Sequence, residues 1–523
     1  MTAPVTAPAL DDEAIVPAGR GRWLGLAVIS LGVSLIIIDA TIVNMLLPRI
    51  VGDLDLRTTD AEWLTSIYSL VFAAFLISFG RVADVVGRRR MFVLGTVVFV
   101  LASLLAARSG SGAALIGARA LQGVGASMIM PATLSTINTL FQGRDRAIAF
   151  GIWGSLIGGM SALGPLIGGW LATSYSWRAA FLVNLPIGLL LIAGVIKFIP
   201  ETRDTAGQRG IDWLGGLVSA LGLGALVFAL IEGQQYGWWR TVRPFEVGPL
   251  TWSYELSPIP VALVAAVLLM VGLLFLERAR VRRGLPVMLD LSLFRIASFR
   301  RGNVAASLIS VGELGLLFVL PLFLQGAHGD NPLQICVAIV PLAVGAFLSG
   351  PFAARLSQRV GAARVVQFGM AAEVAAVLAI GLTTHAGTTG FGLAPWMLMY
   401  GLGLGLTSAQ LTNVSLADVP KAQSGQAAGT QSTARQVGSA LGIALIGTVF
   451  ATSLGHAVTA ETGDSALAEQ IQTSAGTTIK SLDPVEAHAA IQSLAVATGH
   501  AALTTAGILA VGLIMTLRLR RKD

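Results

Sequence analysis

Gly80-Arg81-Val82-Ala83-Asp84-Val85-Val86-Gly87-Arg88-Arg89-Arg90 is a charged stretch framed by apolar runs on both sides. The run before it covers about 62–80 and the run after it about 91–107. Each is close to the roughly 20 apolar residues that a helix needs to cross a bilayer core of about 30 Å. Gly80 at its start and Gly87 before its three arginines suit a tight turn. The pattern is span, charged turn, span, and it repeats in both directions along the chain.

The whole sequence agrees with that unit. Of 523 residues, 54% are hydrophobic and 12% charged, against roughly 25% charged in an ordinary soluble domain. The mean hydropathy of +0.76 leaves more apolar surface than soluble cores hide. The reading is an all-α integral membrane protein. About fourteen runs have spanning length: 24–47, 62–80, 91–107, 113–134, 147–171, 181–199, 212–231, 259–277, 301–325, 333–354, 365–384, 392–413, 429–452 and 498–518. With the amino terminus inside and sides alternating, most of the 35 Lys and Arg fall on the inside, as the positive-inside bias requires. Arg88, Arg89 and Arg90 are one such group; Arg278, Arg280, Arg282 and Arg283 are another; Arg518, Arg520, Arg521 and Lys522 close the chain. An even number of spans with both termini cytoplasmic follows, with tails at 1–22 and 520–523. Met1 to Gly19 is broken by Asp11 and Pro17 and lacks the pattern of a cleaved signal, so the first run reads as a retained anchor. Two outer segments are long: Glu232 to Ser257, and a polar Ala/Thr-rich stretch at about 451–497, read as a loop with room for a small helical or hairpin element.

Ionisable side chains inside spans are costly and need a partner, a wet cavity or a role. Asp39 in span one and Arg119 in span four lie at similar depth, roughly 13 and 10 Å from the same face. They can pair if their helices are neighbours, and a carboxylate so held can exchange a proton; a static ion pair is the plainer alternative. Glu313, near the middle of span nine, and Glu373 in span eleven are candidates for contact with a cationic substrate or for a further proton, and Asn44 is a polar candidate in span one. A neutral, hydrogen-bonded carboxyl explains either acid as well. Arg435 falls near the inner start of span thirteen, where snorkelling to the headgroups accounts for it, although Gln431-Ser432-Thr433-Ala434-Arg435-Gln436 would suit a gate. In span five, Gly158, Gly164, Pro165, Gly168 and Gly169 allow close helix approach and a bend, the marks of a moving element or of tight packing alone.

The stretch from Gly80 to Arg90 resembles the signature loop of the major facilitator superfamily. Arg119 with Gln122-Gly123-Val124-Gly125, Gly164-Pro165 with Gly168-Gly169, and Asp39-Ala40-Thr41-Ile42-Val43-Asn44 are similar to further motifs of that family in the matching spans. Together with fourteen spans they resemble its drug/proton antiporter branch. The resemblance implies two six-helix halves at 23–200 and 298–519, and an inserted helix pair with linkers at 201–297. It implies Asp39 as proton carrier with Arg119 as its modulator, the span-five glycines as hinge, and Gly80, Asp84, Gly87, Arg88 and Arg435 as a cytoplasmic gate. In that gate Asp84 meets the start of span thirteen. A faint second copy of the loop, Ala354 to Gly361, has Gln358 in place of the acid, so any charge lock is asymmetric.

The implied function is proton-coupled efflux of amphipathic, cationic drugs or toxic small molecules by alternating access, in the inner (plasma) membrane. It needs no cofactor beyond the proton gradient, no metal and no nucleic acid, and a monomer suffices. Uptake by proton symport, and self-resistance export of an endogenous antibiotic or lipid-like metabolite, remain open. Other classes fare worse. The +7 net charge is scattered between apolar runs rather than gathered on one face. The single cysteine, Cys336, excludes multi-cysteine metal sites. Asp53-Leu54-Asp55 and the pair His456 and Glu461 are too isolated to mark an enzyme. None of Lys197, Lys421, Lys480 and Lys522 follows a glycine, so no phosphate loop drives export with ATP.

Overall fold

The computed structural model describes residues 20–517 except 57, 204–209, 248–249, 331, 474–478 and 480–481. Both proposed tails fall largely beyond these residues, and the side chains of Asn44, Gly158, Pro165 and Gly169 also lie outside the described set. The chain is a helical bundle. In order it forms α1 (Arg20–Leu54), α2 (Thr58–Val86), α3 (Arg88–Arg108), α4 (Gly112–Leu140), α5 (Gly143–Ser174), α6 (Trp177–Leu182), α7 (Asn184–Phe198) and α8 (Trp213–Tyr236). A small antiparallel hairpin follows, β1 (Phe245–Val247) and β2 (Leu250–Trp252), then α9 (Pro258–Arg282). The remainder is α10 (Ala297–His328), α11 (Pro332–Val360), α12 (Ala362–Thr383), α13 (Gly390–Ser415), α14 (Ser424–Thr462), α15 (Ser465–Thr473) and α16 (Pro484–Leu517).

Among the described residues eleven helices are long and apolar enough to cross a membrane, α6 and α7 counting as one, and α11, bent by 49°, makes twelve. The expected fourteen is reached only by adding α5 and α13. These two pack against each other and against α11. Enclosed by protein, they tolerate the small and polar residues that α13 buries, among them Gly403, Gly405, Ser408, Gln410 and Asn413. The inserted helix α9 is the opposite case. It packs on α8 and exposes Val264, Val267, Leu268 and Phe275, as a lipid-facing surface must.

Apolar burial gathers around several centres. Leu26, Phe92, Phe99, Ile129, Phe150 and Trp153 belong to one core, built chiefly from α1 to α7. Ile309, Leu316, Met370, Ile380, Tyr400 and Leu509 belong to another, drawn from α10 to α16. α5 bridges them, packing on α1 and on α11 and α13, while α2 meets α14. The segment at about 451–497, read as a long outer loop with room for a small helical or hairpin element, is more helical than that among its described residues. α14 runs on to Thr462, α15 packs Leu467, Ala468 and Ile471 against Leu454 and Val458, and α16 begins at Pro484. Alanine is the strongest helix former, so this polar, Ala-rich stretch continues the helices beyond their apolar length.

Candidate functional site

Three groups of side chains stand out inside the bundle. The first joins two residues 80 positions apart. Arg119 Nη1 of α4 donates to Asp39 Oδ2 of α1 at 2.5 Å, with both residues 1% exposed. Asp39 Oδ1 accepts from Gln122 Nε2 at 3.0 Å and from Asn184 Nδ2 of α7 at 2.8 Å. Ser103 Oγ of α3 accepts from the same two amides, at 2.9 and 3.1 Å, and donates to Phe99 O. The Tyr68 ring of α2 lies under the guanidinium, 4.4 Å from its carbon. Five helices thus fix one carboxylate and its counter-ion. Protonation of Asp39 would remove the charge that balances Arg119 and turn an acceptor into a donor, so the cluster cannot stay as it is when a proton binds.

The sequence pointed to Asp39, Arg119 and Gln122; it missed Asn184, Ser103 and Tyr68. Asn184 carried a usable signal, because it is the one amide in the apolar stretch from Phe181 to Ile192. Ser103 and Tyr68 carried none, since hydroxyls are common in membrane helices.

Behind Asp39 lies the glycine row of α5. A Cβ on Gly164 would overlap Thr41 Oγ1, and one on Gly168 would come within 2.7 Å of Ile42 Cγ1. On its other contacts, a Cβ on Gly154 would come within 2.7 Å of Ala409 in α13. One helix is therefore seated closely both on the segment next to Asp39 and on the second core.

The second group joins Gly80, Asp84, Gly87 and Arg88 to the start of α14. Asp84 is fully buried and accepts from Gly425 N at 2.8 Å, Gln426 N at 2.9 Å and Arg88 Nη2 at 2.9 Å. A carboxylate on free N–H groups at a helix amino terminus gains from both hydrogen bonds and the helix dipole. Arg88 also donates to Thr139 Oγ1 at 2.6 Å and Lys421 O at 2.8 Å. A Cβ on Gly80 would come within 2.5 Å of Gly425 O, so only glycine lets α2 and α14 meet there. Gly87 turns the chain into α3 with φ 119°, where its position abuts Glu201, which accepts from Arg89 N and Arg90 N. Gly361, at the matching junction of α11 and α12, also has positive φ, 87°. No acid stands at Gln358, and on that side Arg146 Nε of α5 donates to Asn413 Oδ1 at 2.9 Å instead. Burial pulls the Arg146 guanidinium below its usual range, and Asp418 works against this.

Arg435, expected with these residues, lies apart from them in the structure. It lies eleven residues into α14, roughly 16 Å along the axis from Ser424, because the helix starts earlier than its apolar run. There it interacts electrostatically with Glu313 of α10 and Glu373 of α12, the third group. Glu313 and Glu373 are buried, and neither Glu373 oxygen has a hydrogen bond of good geometry. Tyr400 Oη, both ends of the Gln431 amide, and Arg435 Nε and Nη2 are also buried without hydrogen-bond partners. Unpaired polar atoms are therefore concentrated around these two acids, in a part of the bundle where most buried polar groups find a partner. Asp53, weighed above as part of an enzyme motif, ties α1 to α6 instead. It accepts from Trp177 Nε1 at 2.9 Å and Arg178 Nη1 at 2.6 Å, which hold its carboxyl below the usual range.

Comparison with known proteins places this geometry. Residues 29–443 match the family model described as Major Facilitator Superfamily. The puromycin resistance protein pur8 of Streptomyces alboniger is 35% identical over 82% of this chain and 82% of its own. The tetracenomycin C resistance and export protein of Streptomyces glaucescens is 30% identical over 83% of this chain and 77% of its own. The multidrug efflux pump LfrA of Mycolicibacterium smegmatis is 32% identical over 82% and 81%. The human organic anion transporter MFSD10 (TETRAN), at 16% identity and a TM-score of 0.62 over 95% of this chain and all of its own, shares the fold. The chain belongs to the Major Facilitator Superfamily, in its branch of drug-efflux and antibiotic-resistance transporters, which makes it a multi-pass membrane transporter and not an enzyme.

Proposed function

We propose that the protein exports amphipathic small molecules, cationic ones foremost and antibiotic-like ones included, in exchange for protons. Two six-helix halves at 23–200 and 298–519 rock about α5 and the contact of α2 with α14, with 201–297 as the inserted pair. The protein lies in the inner (plasma) membrane as a monomer, with both termini cytoplasmic. Gly80, Asp84, Gly87 and Arg88 form the cytoplasmic gate, closed in the described state. Glu313 and Glu373 face the cargo, and Arg435 is their counter-ion rather than a gate residue. Asn44 is assigned to the cargo path by its place in the α1 motif, and Gly158, Gly164, Pro165, Gly168 and Gly169 form the hinge.

The observation that carries this reading is the buried pair of Asp39 and Arg119. In the interior of a membrane protein a paired carboxylate is neutral with its partner, whereas its protonation leaves an unbalanced guanidinium. Binding a proton then favours a rearranged state in which Arg119 finds water or another acceptor. That links proton uptake from one side to a change in access, which is the requirement for coupled exchange. The test is accumulation of a fluorescent lipophilic cation in inside-out vesicles under an imposed pH gradient. Uptake into the vesicle lumen driven by a more acidic lumen supports export by antiport. Movement of cargo with the proton would assign a symporter, and transport indifferent to the gradient would remove Asp39 from the mechanism.

A further inference from the structure

The inserted helices are tied to the gate by a chain of named contacts. Asp212 caps α8 by accepting from Gly215 N at 2.8 Å, and Arg280 Nε of α9 lies 2.9 Å from Asp212 Oδ2. Arg280 Nε also donates to Pro286 O at 2.8 Å. One turn earlier, fully buried Glu277 accepts from Met288 N at 3.0 Å and Leu289 N at 3.3 Å. The chain leaving α9 is thereby folded back onto the end of that helix. The next residue, Asp290, then reaches α14. Its N–H donates to Gln426 Oε1 at 3.1 Å, its Oδ2 accepts from Gln423 Nε2 at 2.7 Å, and its Oδ1 accepts from Ser292 N at 2.9 Å.

Gln426 is also the residue whose N–H meets Asp84. The first turn of α14 is held from one side by Asp84 and from the other by Asp290. α8 itself contacts both partners of the gate. Ser78 Oγ of α2 donates to Gly216 O at 3.2 Å, and Val227 and Leu230 pack with Ala73 of α2 and Ala440 and Ala444 of α14.

We infer that Asp290 is a positioning residue of the transport cycle. Anchored by Glu277 and Arg280, it presents the first turn of α14 to Asp84, and the inserted pair serves as a second latch on the closed gate. The inference rests on reading the contact of Asp84 with α14 as that gate. Removing the Asp290 carboxylate leaves the Asp84 contacts intact but frees the turn that supplies them, so the open form gains population.

The experiment uses the full chain in inside-out vesicles, with Ser424→Cys in a Cys336→Ser background. Ser424 is buried at the start of α14, and its Oγ accepts from Asn138 of α4, so it becomes reachable by a membrane-impermeant maleimide only when the gate opens. Adding Asp290→Ala is expected to raise the labelling rate on the order of tenfold, the weight of one or two hydrogen bonds. It should also lower both the apparent KM for a lipophilic cation and kcat, because the binding-competent state is more populated while its closure is weakened. Gln423→Ala, which leaves the linker untouched, should act in the same direction, and Asp290→Asn, which keeps an acceptor for Ser292 and can donate to Gln423 Oε1 once that amide turns over, should stay near the reference. If Asp290→Ala and Gln423→Ala label at the reference rate while Asp84→Asn labels faster, the second latch is refuted and the gate stands. If Asp84→Asn also leaves labelling unchanged, the gate reading falls and takes the latch with it.

Discussion

Gly164 sits so closely on Thr41 that a methyl group added to it would overlap the Thr41 hydroxyl, two residues beyond Asp39. α5, the proposed hinge, and the α1 segment of Asp39, the proposed proton carrier, thus pack with no space between them at this point. Gly164→Ala is expected to reduce dye efflux by about tenfold at unchanged abundance, because neighbouring contacts of this kind couple strongly. Thr41→Ala opens the space again, and the double substitution should recover much of the transport. Recovery is read in the same efflux assay; its absence would place the glycine's role elsewhere.

Neutralising Asp39, the proposed carrier, tests the coupling itself. Asp39→Asn keeps an acceptor for Gln122 and Asn184 but sets an N–H group against Arg119, so it should lower the Tm in detergent and abolish transport driven by the pH gradient, compared at equal amounts of protein in the membrane. Asn184→Leu removes one donor from the same oxygen without touching the charge. Since donors favour the ionised carboxyl, its loss should move the pH profile of transport to more alkaline values while leaving a measurable rate. A purely structural Asn184 would lower the rate with an unmoved profile.

Arg435 is half-buried and interacts with Glu313 and Glu373 without a direct ion pair, so its removal should cost less than the roughly 3 kcal/mol or more of a broken buried pair. Arg435→Leu should lower the Tm in detergent modestly, and Glu373→Gln added to it should restore part of the loss. Alone, Glu313→Gln and Glu373→Gln are expected to weaken export of a permanent cation more than that of a neutral amphiphile, measured side by side in vesicles.

A side chain at Gly80 is predicted to wedge the gate. With its Cβ within 2.5 Å of Gly425 O, Gly80→Ala should leave a maleimide target at Ser424→Cys reactive, in the Cys336→Ser background. Gly52, whose added Cβ meets nothing within 4 Å, supplies the control in Gly52→Ala.

The charged part of this molecule was legible because an apolar background makes each charge conspicuous. Asp39, Arg119 and Asp84 could each be picked out from a sequence that is 12% charged. Hydroxyl partners were not, as Ser103 shows: its position opposite two amides depends on how α3, α4 and α7 pack, which periodicity does not encode. Arg435 was misplaced for a related reason. Apolarity marks where a helix meets lipid, whereas α14 begins where its backbone finds Asp84, five residues before the apolar run expected at 429, so the arginine lies deeper than a headgroup reading allows. The same gap between apolar length and helix length hid how far α14 and α16 run into 451–497.

α14 has 39 residues, about 58 Å of unbroken helix at 1.5 Å per residue, nearly twice a bilayer core of about 30 Å. One end is clasped by Asp84, Arg435 lies a third of the way along, and the far end carries the knob made with α15. A rigid rod transmits displacement along its whole length. The knob is consequently a handle at the far end of the rod from Asp84: an antibody fragment gripping α15 would have purchase on the proposed gate from the other side of the bilayer.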